Sequence, residues 1–185
     1  MQMFADTTTQ NALYYDAYLV RRTVDLTHNI LADSVRVTGT GTFVRTVVDT
    51  IVMGIRFPRA GKMVETKYTG GYVLAVGKSF SISFWKGGIT PATGTLIDSI
   101  TYTSAGGATN EGFELNNEIT FRESGTSGRF HSSTKLDVNG ITPRIESKVG
   151  TIDTDTAQNL IFVVIGINEN TGHVQFDTGR TTTRN

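Results

Sequence analysis

The sequence of 185 residues predicts an all-β protein. In residues 79–85 the side chains of Phe80, Ile82 and Phe84 alternate with serines, and residues 128–138 show the same alternation of apolar and polar positions. Successive side chains of a strand point to opposite faces, so each segment predicts a strand with one buried face. The composition agrees, because it is rich in threonine, which favours strands, and contains 20 glycines, which favour turns.

The N-terminal half predicts an arm followed by short strands. Residues 1–12 are polar and are expected to form an arm, and residues 13–185 a single domain. Residues 13–20 fit a strand or a short helix, and residues 27–34 fit a connection. Further strands are predicted at 35–38, 42–48, 50–57, 62–68 and 72–76. Pro58 ends the third of these strands, and Gly70-Gly71 is expected to be a turn between the last two.

The C-terminal half predicts longer strands that are separated by clear turn and loop signals. They lie at 79–85, 95–103, 117–123, 128–138, 145–149 and 160–167, with a short final strand at 173–176. Residues 104–112 are expected to form a glycine-rich loop, and Asn139-Gly140 is a strong turn dipeptide. Some ten strands at this spacing indicate a sandwich or a barrel.

Residues 160–167 depart from alternation, because they are apolar on both faces. Such a strand lies either at the centre of a sandwich under a covering loop, or with its second face against another subunit. We favour the subunit. The predicted interface residues are Tyr14, Tyr18, Ile161, Val163 and Ile165.

Charge and composition exclude several classes of partner. The 17 basic and 17 acidic residues give a net charge of zero, so neither nucleic acid nor an anionic membrane is expected as a partner. No apolar run is long enough to cross a bilayer. The absence of cysteine excludes disulfides and thiolate metal sites. No cofactor and no metal site are expected.

Candidate catalytic and sugar-binding residues are few. His28, His131 and His173 form no metal-binding pair, and Asp153-Thr154-Asp155 lacks the remaining pattern of a calcium loop. The glutamates crowd one region and could supply the paired carboxylates of a glycosidase, although solvated positions are the default. These glutamates are Glu111, Glu114, Glu118 and Glu123. Tyr14, Tyr15, Tyr18 and Trp85 could stack on sugars, but aromatic residues on strands belong more often to a core or an interface. A glycan-binding module would use exposed aromatic residues such as Trp85 or Tyr102.

Three segments carry a resemblance to a known family. They are the hairpin over residues 119–135, the threonine- and aspartate-rich turn at 150–160, and the strand 160–167 with its polar turn and closing strand. This succession, within residues 79–167, resembles the jelly-roll domains of tailed-bacteriophage virion proteins of the head-decoration, fibre and tail-accessory types. The resemblance covers about half of the chain. It implies a jelly-roll-like antiparallel β-sandwich, a homotrimer and no enzymatic activity.

We therefore expect a structural protein of a bacteriophage virion, most simply one that decorates or cements the capsid. Its partners would be copies of itself and the major capsid protein, and its mechanism would be burial of surface between subunits. A receptor- or glycan-binding module of a fibre or tail is the first alternative. A glycan-processing enzyme that uses the glutamate cluster is the second.

Overall fold

In the computed structural model, the described part of the chain forms eleven β-strands. It comprises residues 26–29, 34–41, 43–53, 59–139, 141–155 and 159–184. The first six strands are β1 (Leu26–Asn29), β2 (Val35–Thr38), β3 (Arg45–Met53), β4 (Met63–Leu74), β5 (Ser79–Lys86) and β6 (Thr95–Thr103). The others are β7 (Ala108–Phe121), β8 (Gly128–Val138), β9 (Ile141–Ile152), β10 (Asn159–Asn168) and β11 (His173–Arg184).

The strands form two antiparallel sheets that pack as a sandwich. The large sheet has the order β1-β11-β4-β7-β8-β9, and β2 pairs with the same strand β11 as β1 does. The small sheet has the order β3-β10-β5-β6. The chain crosses between the sheets from β3 to β4 to β5, and again from β9 to β10 to β11. The predicted all-β antiparallel sandwich of the jelly-roll type is confirmed.

Aromatic side chains fill one part of the core between the sheets. Phe80 of the small sheet packs on Phe113 of the large sheet with ring centroids 5.9 Å apart, and Phe113 meets Phe176 edge to face at 5.4 Å. Tyr68 meets Phe176 in the same way at 5.6 Å. These contacts explain the alternation of β5, because its inward residue Phe80 meets rings from β4 and β7 of the large sheet.

The predicted turn at Gly70-Gly71 is wrong, because both glycines lie inside the long strand β4. A Cβ atom built on Gly70 would lie 2.0 Å from the carbonyl oxygen of Gln175 and 2.8 Å from the ring of Phe113. Glycine is therefore needed here because β11 and Phe113 lie too close for a side chain, and not because the chain reverses direction.

Other boundaries also differ from the predictions. Strand β1 lies where a connection was expected, β7 begins at Ala108 inside the expected loop, and β11 continues to Arg184 instead of ending at residue 176. Residues 45–53 form one strand where two were predicted, with a bulge opposite Val163 and Val164. Hydrogen bonding between strands sets the true end of β11 and the presence of β1. The threonine-rich end of β11 pairs with β4 on one side and with β1 on the other. The predicted arm and the strand at 13–20 lie outside the described residues.

Candidate functional site

Exposed apolar side chains concentrate on two edge strands. The described residues include seven large apolar side chains classed as exposed, and six of them belong to β3 with its approach or to β9. The β3 edge patch consists of Phe43, Val44, Val47 and Val52. The β9 edge patch consists of Ile145 and Val149. Because scattered exposed apolar residues are normal and clustered ones are not, these patches are candidates for contact with another molecule.

Polar contacts to the small sheet turn the apolar face of β9 outward. Arg144 donates a hydrogen bond to the carbonyl of Thr101 at 2.6 Å, and Lys148 donates one to the carbonyl of Leu96 at 2.8 Å. Both acceptors lie on β6, so the charged positions of β9 face the small sheet. Ile145 lies between these two positions along the strand and therefore projects to the solvent side, where 64% of its surface is exposed.

The two edge patches lie at opposite ends of the sandwich. Strand β6 lies against β8 and β9, as the bonds from β9 and the bond from Thr134 to Asp98 show. Strand β3 is three strands away from β6, or about 14 Å across the sheet. At that end Asp49 of β3 accepts a hydrogen bond from Tyr68 of β4 at 2.7 Å. Among the described strands, β9 pairs only with β8, and β3 only with β10.

A shallow groove of about 190 Å³ lies on the outer face of the small sheet. Trp85 forms part of its wall but is only 3% exposed, because the guanidinium of Arg45 lies 5.0 Å from the ring centroid. The indole nitrogen of Trp85 donates to the Ser83 hydroxyl at 2.9 Å. The ring face that could stack on a sugar is thus covered by Arg45. Tyr102 is half-buried and packs on Tyr72.

Trp85 is the single tryptophan of the chain and reports on this groove. We expect Arg45→Ala to shift its fluorescence emission to longer wavelength, because the ring gains contact with water, and to cost about 1 kcal/mol of stability. The exposed Arg59, in a turn outside the groove, provides the control Arg59→Ala. An unchanged emission maximum in Arg45→Ala would contradict the stacked geometry.

The predicted interface residues Ile161, Val163 and Ile165 belong to the core. Each is fully buried within the single chain, on the face of β10 that points to the large sheet. The interface prediction for these three is therefore corrected: a partner subunit could reach them only if the sheets separated. The predicted contacts Tyr14 and Tyr18 lie outside the described residues.

The outer face of β10 is also apolar, and it is covered by residues of the same chain. Val164 is fully buried although it points away from the large sheet, and it pairs with Val47 and with Ser83. The ring of Phe43 lies on Gly166, where an added Cβ atom would come within 2.3 Å of it. The first alternative from the sequence, a central strand under a covering segment, describes this strand.

A polar network crosses the core near β6. Thr134 donates to the carboxylate of Asp98 at 2.7 Å, and the side-chain amide of Asn117 donates to Thr134 at 2.8 Å and to Ser132 at 3.0 Å. Lys86 is also buried and donates to the carbonyl of Asp153. Burial lowers the pKa of Lys86, and the charge of Asp153 opposes that shift. Asp98, Thr134 and Asn117 thus tie β6, β7 and β8 together.

The four glutamates of the predicted cluster lie apart. Glu111 accepts a hydrogen bond from the hydroxyl of Tyr72 at 2.7 Å, and burial raises the pKa of that hydroxyl. Glu114 and Glu118 lie on the opposite face of β7, four residues or about 13 Å of strand apart. Glu123 follows the strand and pairs with Arg129 at 3.5 Å. A glycosidase pair needs about 5–9.5 Å.

The histidines and the aspartate turn form no metal site in the part of the chain that the structure describes. His131 lies on the outer face of β8, and His173 makes a 3.0 Å contact with Arg36. Burial lowers the pKa of His173, and the charge of Arg36 lowers it further. No group of three or more histidine, cysteine, aspartate or glutamate side chains gathers in a metal-binding arrangement among the described residues. Nor do those residues include a helix long and apolar enough to span a membrane.

Comparisons with known proteins return matches of fold only. No model of a protein family matches the sequence, and no curated protein matches it. Among solved structures, the PL-14 alginate lyase from Aplysia kurodai is 9% identical with a TM-score of 0.48, covering 80% of this chain and 82% of the lyase. The VP2 subviral particle of infectious bursal disease virus is 9% identical with a TM-score of 0.41, covering 89% of this chain.

The chain spans only 33% of the VP2 protein of infectious bursal disease virus. The CBM2 module of the evolved Dit of Lactobacillus casei BL23 phage J-1 is 8% identical with a TM-score of 0.41, covering 74% of this chain and 69% of the module. At these identities and scores, the likeness concerns the arrangement of strands. Viral and phage proteins are thus among the structures of similar fold, together with an enzyme.

Proposed function

We propose that the protein is a structural, non-enzymatic component of a bacteriophage virion that decorates or cements the capsid through subunit contacts. The observation that supports this proposal is the distribution of exposed apolar side chains, six of seven of which lie on two edge strands among the described residues. The neighbours of similar fold that come from viral particles agree with a location in the virion but do not bear on the contacts.

The β3 edge patch leaves apolar side chains exposed on an edge strand that also carries a bulge and the inward carboxylate of Asp49. Edge strands of monomeric proteins usually carry outward charges that discourage pairing with another chain. On β3 the outward positions after Arg45 are Val47, Thr50 and Val52, and the one carboxylate, Asp49, points inward to Tyr68. Val52 is the most exposed residue of this patch, at 75%. A partner strand or side chain would remove this apolar surface from water.

The position of the two patches favours a head-to-tail contact. Because the β3 and β9 edge patches differ and lie at opposite ends of the sandwich, the β9 patch of one copy can meet the β3 patch of the next. Such heterologous contacts close into rings when the rotation between copies allows it. A closed trimer would satisfy both patches in every subunit and would present a broad surface to the major capsid protein.

Charge substitutions at the two patches test the proposal. We expect the wild-type protein to show the native mass of a closed oligomer by light scattering after size-exclusion chromatography. We expect Val52→Asp or Ile145→Asp to reduce it to a monomer, because each places a charge in a desolvated contact. The matched control is Val76→Asp, since Val76 is 64% exposed in a turn away from both patches.

Mixing the two variants separates a head-to-tail contact from a symmetric one. Val52→Asp keeps an intact β9 patch, and Ile145→Asp keeps an intact β3 patch. An equimolar mixture should therefore form one good contact and stop at a dimer. A wild-type monomer at all concentrations, or variants that assemble as well as Val76→Asp, would refute the edge contact.

A further inference from the structure

The outer face of the large sheet arranges its charges in stripes that run across the strands. Outward residues of neighbouring strands lie side by side according to the pairing register. The basic stripe contains Arg180, Lys67 and Lys135, joined in register through Asn116. The first acidic stripe contains Glu114 and Asp137, and the second contains Glu65 and Glu118. Adjacent stripes are two residues, or about 7 Å, apart along the strands.

This arrangement places like charges directly opposite one another within the sheet. Arg180 faces Lys67, Glu114 faces Asp137 and Glu65 faces Glu118 in the registers of the three strand pairs. Like charges opposite one another destabilise a sheet, and opposite charges in the same positions would stabilise it. These three like-charge pairs therefore lower the stability of the isolated chain.

Contacts within the chain relieve only part of this repulsion. Glu65 pairs with Arg184 at 2.9 Å and lies 3.7 Å from the ammonium of Lys67, so both contacts run between stripes. The side chains of Lys67 and Arg184 are about half exposed, at 54% and 48%. Ion pairs this exposed contribute little to stability. Much of the charge on the face stays available to a partner.

We propose that this face binds the same face of a second copy of the chain, about a twofold axis that runs parallel to the stripes between the basic stripe and the second acidic stripe. Rotation about that axis lays the basic stripe of each copy on the second acidic stripe of the other. Lys67 of one copy then lies against Glu65 of the other, with Glu118 one strand, about 5 Å, to the side. The first acidic stripe, which lies on β7 and β8, comes to lie over Thr120 and His131 of the other copy.

Charge complementarity identifies the occupant as a second copy. The basic stripe and the second acidic stripe exchange places under the rotation, so these two stripes are complementary to themselves at Lys67, Glu65 and Glu118. An anionic polymer would meet two acidic stripes, and a cationic one would meet the basic stripe. A twofold contact of this kind does not need the β3 edge patch, whereas the β9 edge patch adjoins it, because Ile145 pairs in register with Lys135. Combined with a head-to-tail ring, it would pair two rings through their faces.

Salt dependence distinguishes this contact from the apolar edges. The test uses Val52→Asp as background, because this change removes the β3 edge patch that every head-to-tail contact needs and leaves Ile145, the neighbour of Lys135 on this face, unchanged. We expect sedimentation to show a dimer at about 20 mM NaCl and a monomer at about 500 mM, with the dissociation constant rising at least about tenfold. A monomer at low salt up to high protein concentration would overturn the proposal and leave the edge contact unaffected.

Mixing of charge-reversed variants provides the decisive control. Lys67→Glu with Lys135→Glu makes the basic stripe acidic, and Glu65→Lys with Glu118→Lys makes the second acidic stripe basic. Each variant alone should repel itself and remain a monomer at low salt, whereas the equimolar mixture should dimerise, since each reversed stripe then meets its opposite. Lys78→Glu, in an exposed turn away from the face, should dimerise like the background. A mixture that stays monomeric while both variants keep the circular dichroism of the background would refute the pairing.

Discussion

Val163→Asp should leave the chain unfolded. Val163 is fully buried at the centre of the small sheet, where it lies between Asp49 of β3 and Phe84 of β5. The new carboxylate would point into the apolar core against the large sheet. An unpaired buried charge costs several kcal/mol, which is a large part of the roughly 5–15 kcal/mol by which a domain is stable. The added repulsion from Asp49 on the neighbouring strand works in the same direction.

Circular dichroism and thermal denaturation of Val163→Asp beside Val76→Asp would measure this effect. Both variants replace valine by aspartate, but Val76 is 64% exposed in a turn, so its stability should change by less than about 0.5 kcal/mol. A Val163→Asp protein that melts cooperatively near the wild-type temperature and only fails to assemble would restore Val163 to a subunit interface. The two variants thus decide between the core that the structure shows and the interface that the sequence predicts.

The strands that alternate could be predicted from the sequence, because burial of one face controls them. In β5 the residues Phe80, Ile82 and Phe84 all point to the core, and in β8 the residues Phe130, Leu136 and Val138 do the same. Strand β10 could be located but its environment could not be assigned. A strand that is apolar on both faces looks the same whether the second cover is Phe43 of its own chain or a residue of another chain.

The β9 edge patch cannot be read from the sequence, because alternation predicts a strand but does not show which set of residues faces inward. Charged residues at 144, 146 and 148 alternate with Ile145, Ser147 and Val149, and the usual assumption places the uncharged set in the core. The structure reverses this, since Arg144 and Lys148 bind carbonyls of β6. Pro143 is the signal that could have helped, because proline in a strand indicates an edge. The charge stripes depend on register between strands, which a single sequence does not fix.

Substitution of Gly70 is the second change for which we expect a large loss of stability, because β4 and β11 approach each other closely at this residue. A Cβ atom there would lie 2.0 Å from a backbone oxygen of Gln175 and 2.8 Å from two atoms of the Phe113 ring. Backbone cannot yield as a flexible side chain does, so either the β4–β11 pairing opens locally or Phe113 leaves its place between Phe80 and Phe176. Both responses disturb the aromatic core.

We therefore expect Gly70→Ala to cost about 3 kcal/mol or more and to lower the melting temperature by about 6–12 °C. Gly106→Ala is the matched control, because nothing lies within 4 Å of its added Cβ atom and its backbone is not left-handed. Urea unfolding of the two variants beside the wild type measures the difference. If Gly70 formed the turn that its Gly-Gly sequence suggests, alanine would cost only about 1 kcal/mol of backbone strain, and the two variants would unfold at similar urea concentrations. A clear separation of their midpoints would instead establish that this dipeptide provides space inside a strand, where the chain needs room and not flexibility.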